Sequence, residues 1–433
     1  MINSGSVSNY DAIIGANAGS SGSVTVNSGG SWSNSSSLTV GFYGTGSLTI
    51  SGGTVSNTSA DIAAVTGSTG SVTVSSGTWK NSGDLTVGHN GTGSLTISGG
   101  TVSNAVGWIG GSLTSIGTVT VSSGSWKNSG NLNVGVSGPG SLTINGGAVS
   151  DTTGYLGVYA GSSGSVNISS GTWSNSSSLN VGYAGTGSLT ISGGTVSDTT
   201  GTIGANAGSS GSVTVSSGNW NNSSTLTVGG SGNGTMTISG GTVSNTIGTI
   251  GDASGSTGSV TVSAGGTWNN SSNLVVGNSG TGSLTISGGT VSNANSASIG
   301  KSTGSSGSVN ISSGTWNNSG SLTVGDSGTG SLIINGGTVS NASSTIGSAS
   351  GSTGSVTVSS GTWNNSALTV GYSGSGSLTI NGGTVSSVNS AFIGYNSNSS
   401  GTATINAGTV TLGQFYVGYQ GNGTLTINGG TVS

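Results

Sequence analysis

The chain has 433 residues, of which 91 are Gly and only 2% are charged, and its formal net charge is −4. It contains no Cys, Glu or Arg, which removes disulfides, thiolate metal sites and cysteine nucleophiles together. With so few cations there is no electrostatic footprint for nucleic acid and no polybasic patch for an anionic membrane. No run approaches the roughly 18 apolar residues that span a bilayer, so direct membrane insertion of this segment is not expected. The opening stretch, Met1 to Val7, has neither a basic region nor an apolar core and does not read as a signal peptide.

Internal repetition dominates the sequence. Gly-Ser-Leu-Thr-Ile begins at Gly46 and returns, with small changes, at Gly93, Gly140, Gly187, Gly234, Gly282, Gly330, Gly376 and Gly423. A sister string, Gly-Ser-Val-Thr-Val, begins at Gly22 and recurs about midway between them, through Gly70, Gly117 and onward to Gly401. The period is therefore about half of each 47-residue step, and nine copies of each string make 18 coils. Self-similarity of this kind marks stacked repeat architectures.

In chain order, the half-repeat that starts at Gly46 opens with a strand over 47–51, where Leu48 and Ile50 alternate with hydroxyl residues. That is the period-two signature of a strand with one buried face. Gly52-Gly53 turns the chain, a second strand covers 54–57, and a third centres on Ile62. The next half-repeat offers 71–75, 78–81 and 85–88 in the same order. No helical periodicity survives in a chain so rich in Gly. Three strands per coil of 23–24 residues predict an all-β, three-sided parallel β-solenoid, continuous over residues 1–433. A single coil cannot bury its apolar face, and stacking does.

Stacking turns each sequence column into a ladder. The inner column of the first strand is aliphatic from Val24 to Leu425. The second strand alternates Val with Trp in one slot, as in Val55, Trp79, Val102 and Trp126. Lys80 and Lys127 directly follow Trp79 and Trp126; a lysine belongs outside, so the Trp points inward, while Trp108 before Ile109 points outward. Two residues beyond each Val or Trp stands Asn, or Asp at Asp151 and Asp198, which predicts an amide ladder from coil to coil. A calcium role for the two isolated Asp is the weaker reading. The outer column of the first strand is Thr in 15 of 18 coils, and Thr190, Thr214, Thr237, Thr261 and Thr285 form a candidate surface array. The most variable column is the turn after Leu-Thr-Val-Gly, where Tyr43, His89, Tyr183, Tyr372 and Tyr419 are candidate contacts.

Units such as Gly-Thr-Gly-Ser-Leu-Thr-Ile-Ser-Gly-Gly-Thr-Val-Ser at Gly44 and Gly-Thr-Trp-Lys-Asn-Ser-Gly-Asp-Leu-Thr-Val-Gly at Gly77 resemble the passenger repeats of bacterial autotransporter proteins, over essentially the whole chain. The resemblance implies a right-handed β-helix exported to the surface of a Gram-negative cell, with roles in adhesion, aggregation or biofilm.

Catalysis finds no support. Glycoside hydrolysis needs two neighbouring carboxyl groups, and the single imidazole, His89, has only Asp84 near it in sequence and no nucleophile. No cofactor or metal site is expected. The leading expectation is a non-enzymatic extracellular rod or fibre subunit that contacts cell-surface or matrix glycans or its own kind. Ice binding or carbohydrate binding through the Ser-x-Thr face is the alternative. The stretches at Ile2 and Ile427 share one repeat phase, so end-to-end or side-by-side self-association is also expected.

Overall fold

The computed structural model describes all 433 residues as strands, turns and bends, with no helix. It is a parallel β-solenoid of about 18 turns, each carrying three paired segments. Thr45–Asn57 supplies the first two segments of one turn and Ser59–Ile62 the third. Gly46 pairs with Gly70, Val55 with Trp79 and Ile62 with Val87; Gly70 then pairs with Gly93. The register shift alternates between 24 and 23 residues, as the two strings require. The chain divides into two compact units, residues 1–213 with 218–221, and residues 214–217 with 222–433.

Both units are built alike. In the first, Leu48, Ile50, Val72, Val74, Val119 and Val121 are fully buried, with Thr49, Thr73 and Thr120 between them on the outer side. In the second, Val260, Val262, Leu284 and Ile286 do the same. Each such side chain stabilises by roughly 1.5–3 kcal/mol on burial, and parallel stacking removes it from water on every side but the strand's own. The Trp of the second segment points inward as parity demands: from Trp79 to Trp363 these rings are fully buried.

The third segment contains an alternation that explains why the repeat is double. Turns with Val in the second segment place a small residue first on the inner side of the third: Ala60, Gly107, Gly154, Gly248 and Ala297. Turns with Trp place Leu there: Leu85, Leu132, Leu179, Leu274 and Leu322. A Cβ added at Gly107 would lie 2.9 Å from Trp126 Cζ2 and 2.9 Å from Leu132 Cδ1. At Gly154 the same atoms of Trp173 and Leu179 stand at 2.7 and 2.9 Å, and at Gly248 those of Trp268 and Leu274 at 2.8 and 3.0 Å. Each indole thus leans back over the small residue of the preceding turn, and a Val turn and the Trp turn after it interlock.

The expected amide ladder is present in a different form. Asn57 donates to Asn81, and likewise Asn104 to Asn128 at 2.7 Å and Asn245 to Asn270 at 2.7 Å. Beyond each pair the amide chain stops: Asn81 and Asn128 turn to the backbone carbonyls of Ser103 and Ser150. The first Asn of each pair instead accepts from an indole. Trp79 donates to Asn57 at 2.9 Å, Trp126 to Asn104 at 2.7 Å and Trp268 to Asn245 at 2.7 Å. A buried indole N–H needs an acceptor, and the nearest one available is the corner amide of the turn before. The ladder is therefore a series of two-turn locks.

One backbone position breaks its own rule. The residue after the third segment has a positive φ in all turns; it is Gly in 17 of them, with φ from 67° to 81°, and Ala63, at 59°, in the remaining one. A side chain in this left-handed region costs about 1–2 kcal/mol.

Two outcomes follow. Gly107→Ala, which reproduces the residue of the Ala60 and Ala297 turns, is expected to shift the thermal midpoint little, whereas Gly107→Leu overpacks the lock and costs about 1–3 kcal/mol. Adding Trp126→Val to Gly107→Leu should recover part of that loss; purely additive melting midpoints would refute the interlock. Ala63→Gly is expected to raise stability by about 0.5–1 kcal/mol, as strain relief exceeds the added freedom of the unfolded chain; an unchanged or lowered melting midpoint would count against strain at that turn.

Candidate functional site

The three outer faces differ sharply in chemistry. The first-segment face repeats Ser or Thr, then Thr. Thr237, Thr261 and Thr285 stand in direct register in consecutive turns, and Thr190 and Thr214, like these three, are half-buried. Asn167 pairs with Thr190, Thr285 with Asn310, and Ile333 with Thr357, so the row is interrupted by an amide and an aliphatic side chain. The second-segment face is hydroxyl and amide with Lys80 and Lys127 exposed.

Variety is confined to the third segment and the turns that flank it. All nine Tyr, together with Phe42, Phe392 and Trp108, lie there. So do Asp11, Asp61, Asp84, His89, Asp252, Lys301 and Asp326. The solenoid geometry makes this face permissive: its outward side chains and its turn residues touch no core position, so their identity is free of the packing that dictates the columns inside.

Within the first unit, three contacts build this face. His89 Nδ1 lies 3.1 Å from Asp61 Oδ1, one turn back. The hydrogen bond to Asp61 raises the His89 pKa above the ordinary imidazole range, assisted by the carboxylate charge and opposed by partial burial. Asp84, the acid near His89 in sequence, instead accepts from the indole N–H of Trp108 at 3.3 Å. This corrects the sequence-based pairing: register places Asp61 opposite Thr86, beside the turn that carries His89. Thr86, His89, Trp108, Gly111 and Val136 line a shallow surface recess of about 220 Å³. Further along, Tyr155 and Tyr183 meet edge to face with centroids 4.8 Å apart, and Tyr43 meets Phe42 at 4.6 Å.

Within the second unit, Asn278 donates to Asp252 at 2.8 Å and Ser298 to Asp326 at 3.2 Å. Five rings then gather on the same face. Tyr372 stacks on Tyr395 at 5.1 Å and Tyr395 on Tyr419 at 5.2 Å, with interplanar angles of 13° and 24°. Phe392 stacks on Tyr416 at 4.9 Å and 7°. The two ladders meet edge to face, Phe392 against Tyr395 at 86° and Tyr416 against Tyr419 at 75°. Tyr372 and Tyr419 were candidates from the variable column; Tyr395, Phe392 and Tyr416 join them through register.

The carboxyl groups of Asp151 and Asp198 belong to the interior. Each replaces the first Asn of a two-turn lock and accepts from an indole, Trp173 and Trp220 respectively, at 2.6 Å. The second oxygen of each is buried without a partner, and both amide atoms of Asn175 are unpartnered beside Asp151. Burial pushes both pKa values up to about 7, against the lowering effect of the indole hydrogen bond. No group of three His, Asp, Glu or Cys side chains converges in a metal-binding arrangement.

The sign of the pH effect follows from linkage. The folded pKa of each Asp lies above its unfolded value, so between about pH 4 and 7 the unfolded chain sheds protons that the folded chain keeps. Stability is full below pH 4, declines as pH rises to 7 and is flat beyond. Asp151→Asn with Asp198→Asn should restore the amide donor, raise the thermal midpoint at pH 8 by several degrees and flatten the pH profile. A double variant that melts with the parent's pH dependence would show that these carboxyls do not control it.

Comparison with family models, with curated proteins and with solved structures finds no match to this chain.

Proposed function

We propose that the chain is a non-enzymatic, extracellular structural and adhesive solenoid that makes its contacts through the third-segment face. The observation that carries this reading is the segregation of chemistry just described. Two faces repeat small hydroxyl and amide residues with few departures, as a scaffold requires, while the third collects the tyrosines and most of the ionisable groups. Exposed aromatic and charged side chains on a rigid support are the ordinary currency of recognition. The resemblance to autotransporter passenger repeats supports a right-handed, three-sided coil and export to a Gram-negative cell surface, with adhesion or aggregation as the role. Sparse charge supports the same reading, because contacts made through uncharged surface persist at high ionic strength.

The non-enzymatic part of the proposal rests on the dispersal of reactive groups. His89 and Asp61 form a pair, but an imidazole and its carboxylate need a nucleophile or a bound water to do hydrolytic chemistry. Thr86 and Trp108 are the polar or aromatic side chains that share their recess, and neither is an activated nucleophile.

Beads coated with the purified chain provide the test. Adhesion to bacterial cells and to extracellular matrix is expected to fall at least several-fold when Trp108, Tyr155 and Tyr183 become Thr or Ser. It should persist when Thr237, Thr261 and Thr285 become Val. The reverse pattern would overturn the assignment of the contact face, and ice-crystal shaping that disappears with the Thr row would favour ice binding instead.

A further inference from the structure

The five-ring cluster in the second unit is not needed by the fold. Its slots are filled elsewhere by small polar residues: Thr323, Thr345 and Thr369 precede Phe392 and Tyr416 in the third-segment column, and Asp326 and Ser348 precede Tyr372 in the turn column. Nor is it a buried packing device. Tyr372, Tyr416 and Tyr419 are 41, 38 and 49% exposed, whereas the core indoles are sealed. Five large rings held in the open require an explanation other than solenoid stability.

The surroundings restrict what such a cluster can recognise. From Ser327 to Ser433 the chain contains no Asp, Glu, Lys, Arg or His, so this stretch offers neither a cation for an anionic partner nor a carboxylate for a cationic one. The polar groups beside the rings are neutral. Tyr416 Oη bonds Gln414 Oε1 at 3.4 Å, Asn396 donates to Ser373 Oγ at 2.8 Å, and Gln420 is exposed in the turn with Tyr419. Aromatic rings bordered by amides and hydroxyls, with charge absent, match the two aspects of a pyranose: its C–H faces lie against π systems, and its hydroxyls exchange hydrogen bonds with amides. The spacing agrees. The Tyr ladder repeats every 5.1–5.2 Å, of the order of the advance per sugar along an extended β-linked pyranose chain, so successive residues of such a polymer meet equivalent rings.

We propose that the Tyr372–Tyr395–Tyr419 and Phe392–Tyr416 ladders form a binding site for a neutral, extended polysaccharide lying along the solenoid. The inference rests on the adhesive reading above and supplies its ligand class. The site is rigid before binding, since each ring is held by a neighbour one turn away, and little ordering opposes association. Affinity grows with the number of sugars that engage the ladder, so short saccharides bind weakly and longer ones more tightly.

Isothermal titration of the full chain with cellohexaose tests this, with cellobiose, a hexagalacturonate and a chitosan hexamer as comparators. Binding of cellohexaose is expected, at least tenfold tighter than cellobiose and tighter than either charged hexamer. Tyr395→Ser with Tyr419→Ser, and separately Phe392→Thr with Tyr416→Thr, install residues that the same columns already carry, and circular dichroism verifies that the fold is retained. Each double variant should lose at least tenfold in affinity. No binding by the parent chain, unchanged binding by both variants, or equal binding of a charged hexamer overturns the proposal. Sedimentation supplies a further arm: self-association of the parent that both variants abolish, without glycan binding, would assign the rings to a second copy of the chain and overturn it. Glycan binding that fails while bead adhesion survives overturns the ligand and leaves the adhesive reading standing; loss of both overturns both.

Discussion

The indole N–H of the core Trp holds the architecture to its two-turn rhythm. A fully buried N–H without an acceptor costs about 1–3 kcal/mol, and in seven of the eight Trp turns that acceptor is the corner Asn or Asp one turn back. Reaching it tilts the ring over the third segment of the preceding turn, where only Gly, Ala or Ser fits beneath the six-membered edge. The Leu that follows in the Trp turn fills the remaining width. Hydrogen bonding, ring tilt and the Gly/Leu alternation are thus one constraint expressed in three columns. Asp151 and Asp198 keep the acceptor and forfeit the amide donor, which localises pH sensitivity to two locks and leaves the others indifferent to it.

Because these requirements are satisfied inside, the outside is released from them, though unequally. The first-segment face stays uniform, its hydroxyls standing in register from turn to turn as in Thr237, Thr261 and Thr285. The third segment is shorter, with turns on both sides, and its outward residue is followed by a left-handed Gly that redirects the chain. Side chains placed there meet side chains from adjacent turns and little else. Stacking then converts point differences into ladders: aromatic residues at equivalent positions of neighbouring turns stack at about the strand spacing, as Tyr372, Tyr395 and Tyr419 do.

Most of the fold was legible in the sequence because its signal is periodic. Leu48 and Ile50 against Thr49 declare strand parity within three residues, and Lys80 beside Trp79 settles the direction of the ring. The Gly-Ser-Leu-Thr-Ile string carries the coil length. The two-turn lock was also written there, as Gly107 before Trp126 and Leu132, yet it links residues 19 to 25 positions apart in different segments and becomes visible only once register is known. The site was less legible for the same reason. Asp84 lies five residues from His89 and Asp61 lies 28 away, yet turn stacking brings Asp61 to the imidazole. Tyr395 sits in the intervening half-repeat, after Phe392-Ile393-Gly394 instead of Leu-Thr-Val-Gly, so scanning one kind of turn finds Tyr372 and Tyr419 and passes over the ring between them.

The interlock between Val and Trp turns also sets the grain at which such a chain can change length. A tandem array lengthens and shortens by unequal recombination between copies, and a slip of one turn would bring two Val turns or two Trp turns together. In the first case a small residue faces a void where an indole belongs; in the second an indole meets Leu and finds no free corner amide. Only slips of whole pairs leave every lock intact. Heritable size variation in molecules of this design is therefore quantised in pairs of turns, and the face that such events extend is always a multiple of two rungs.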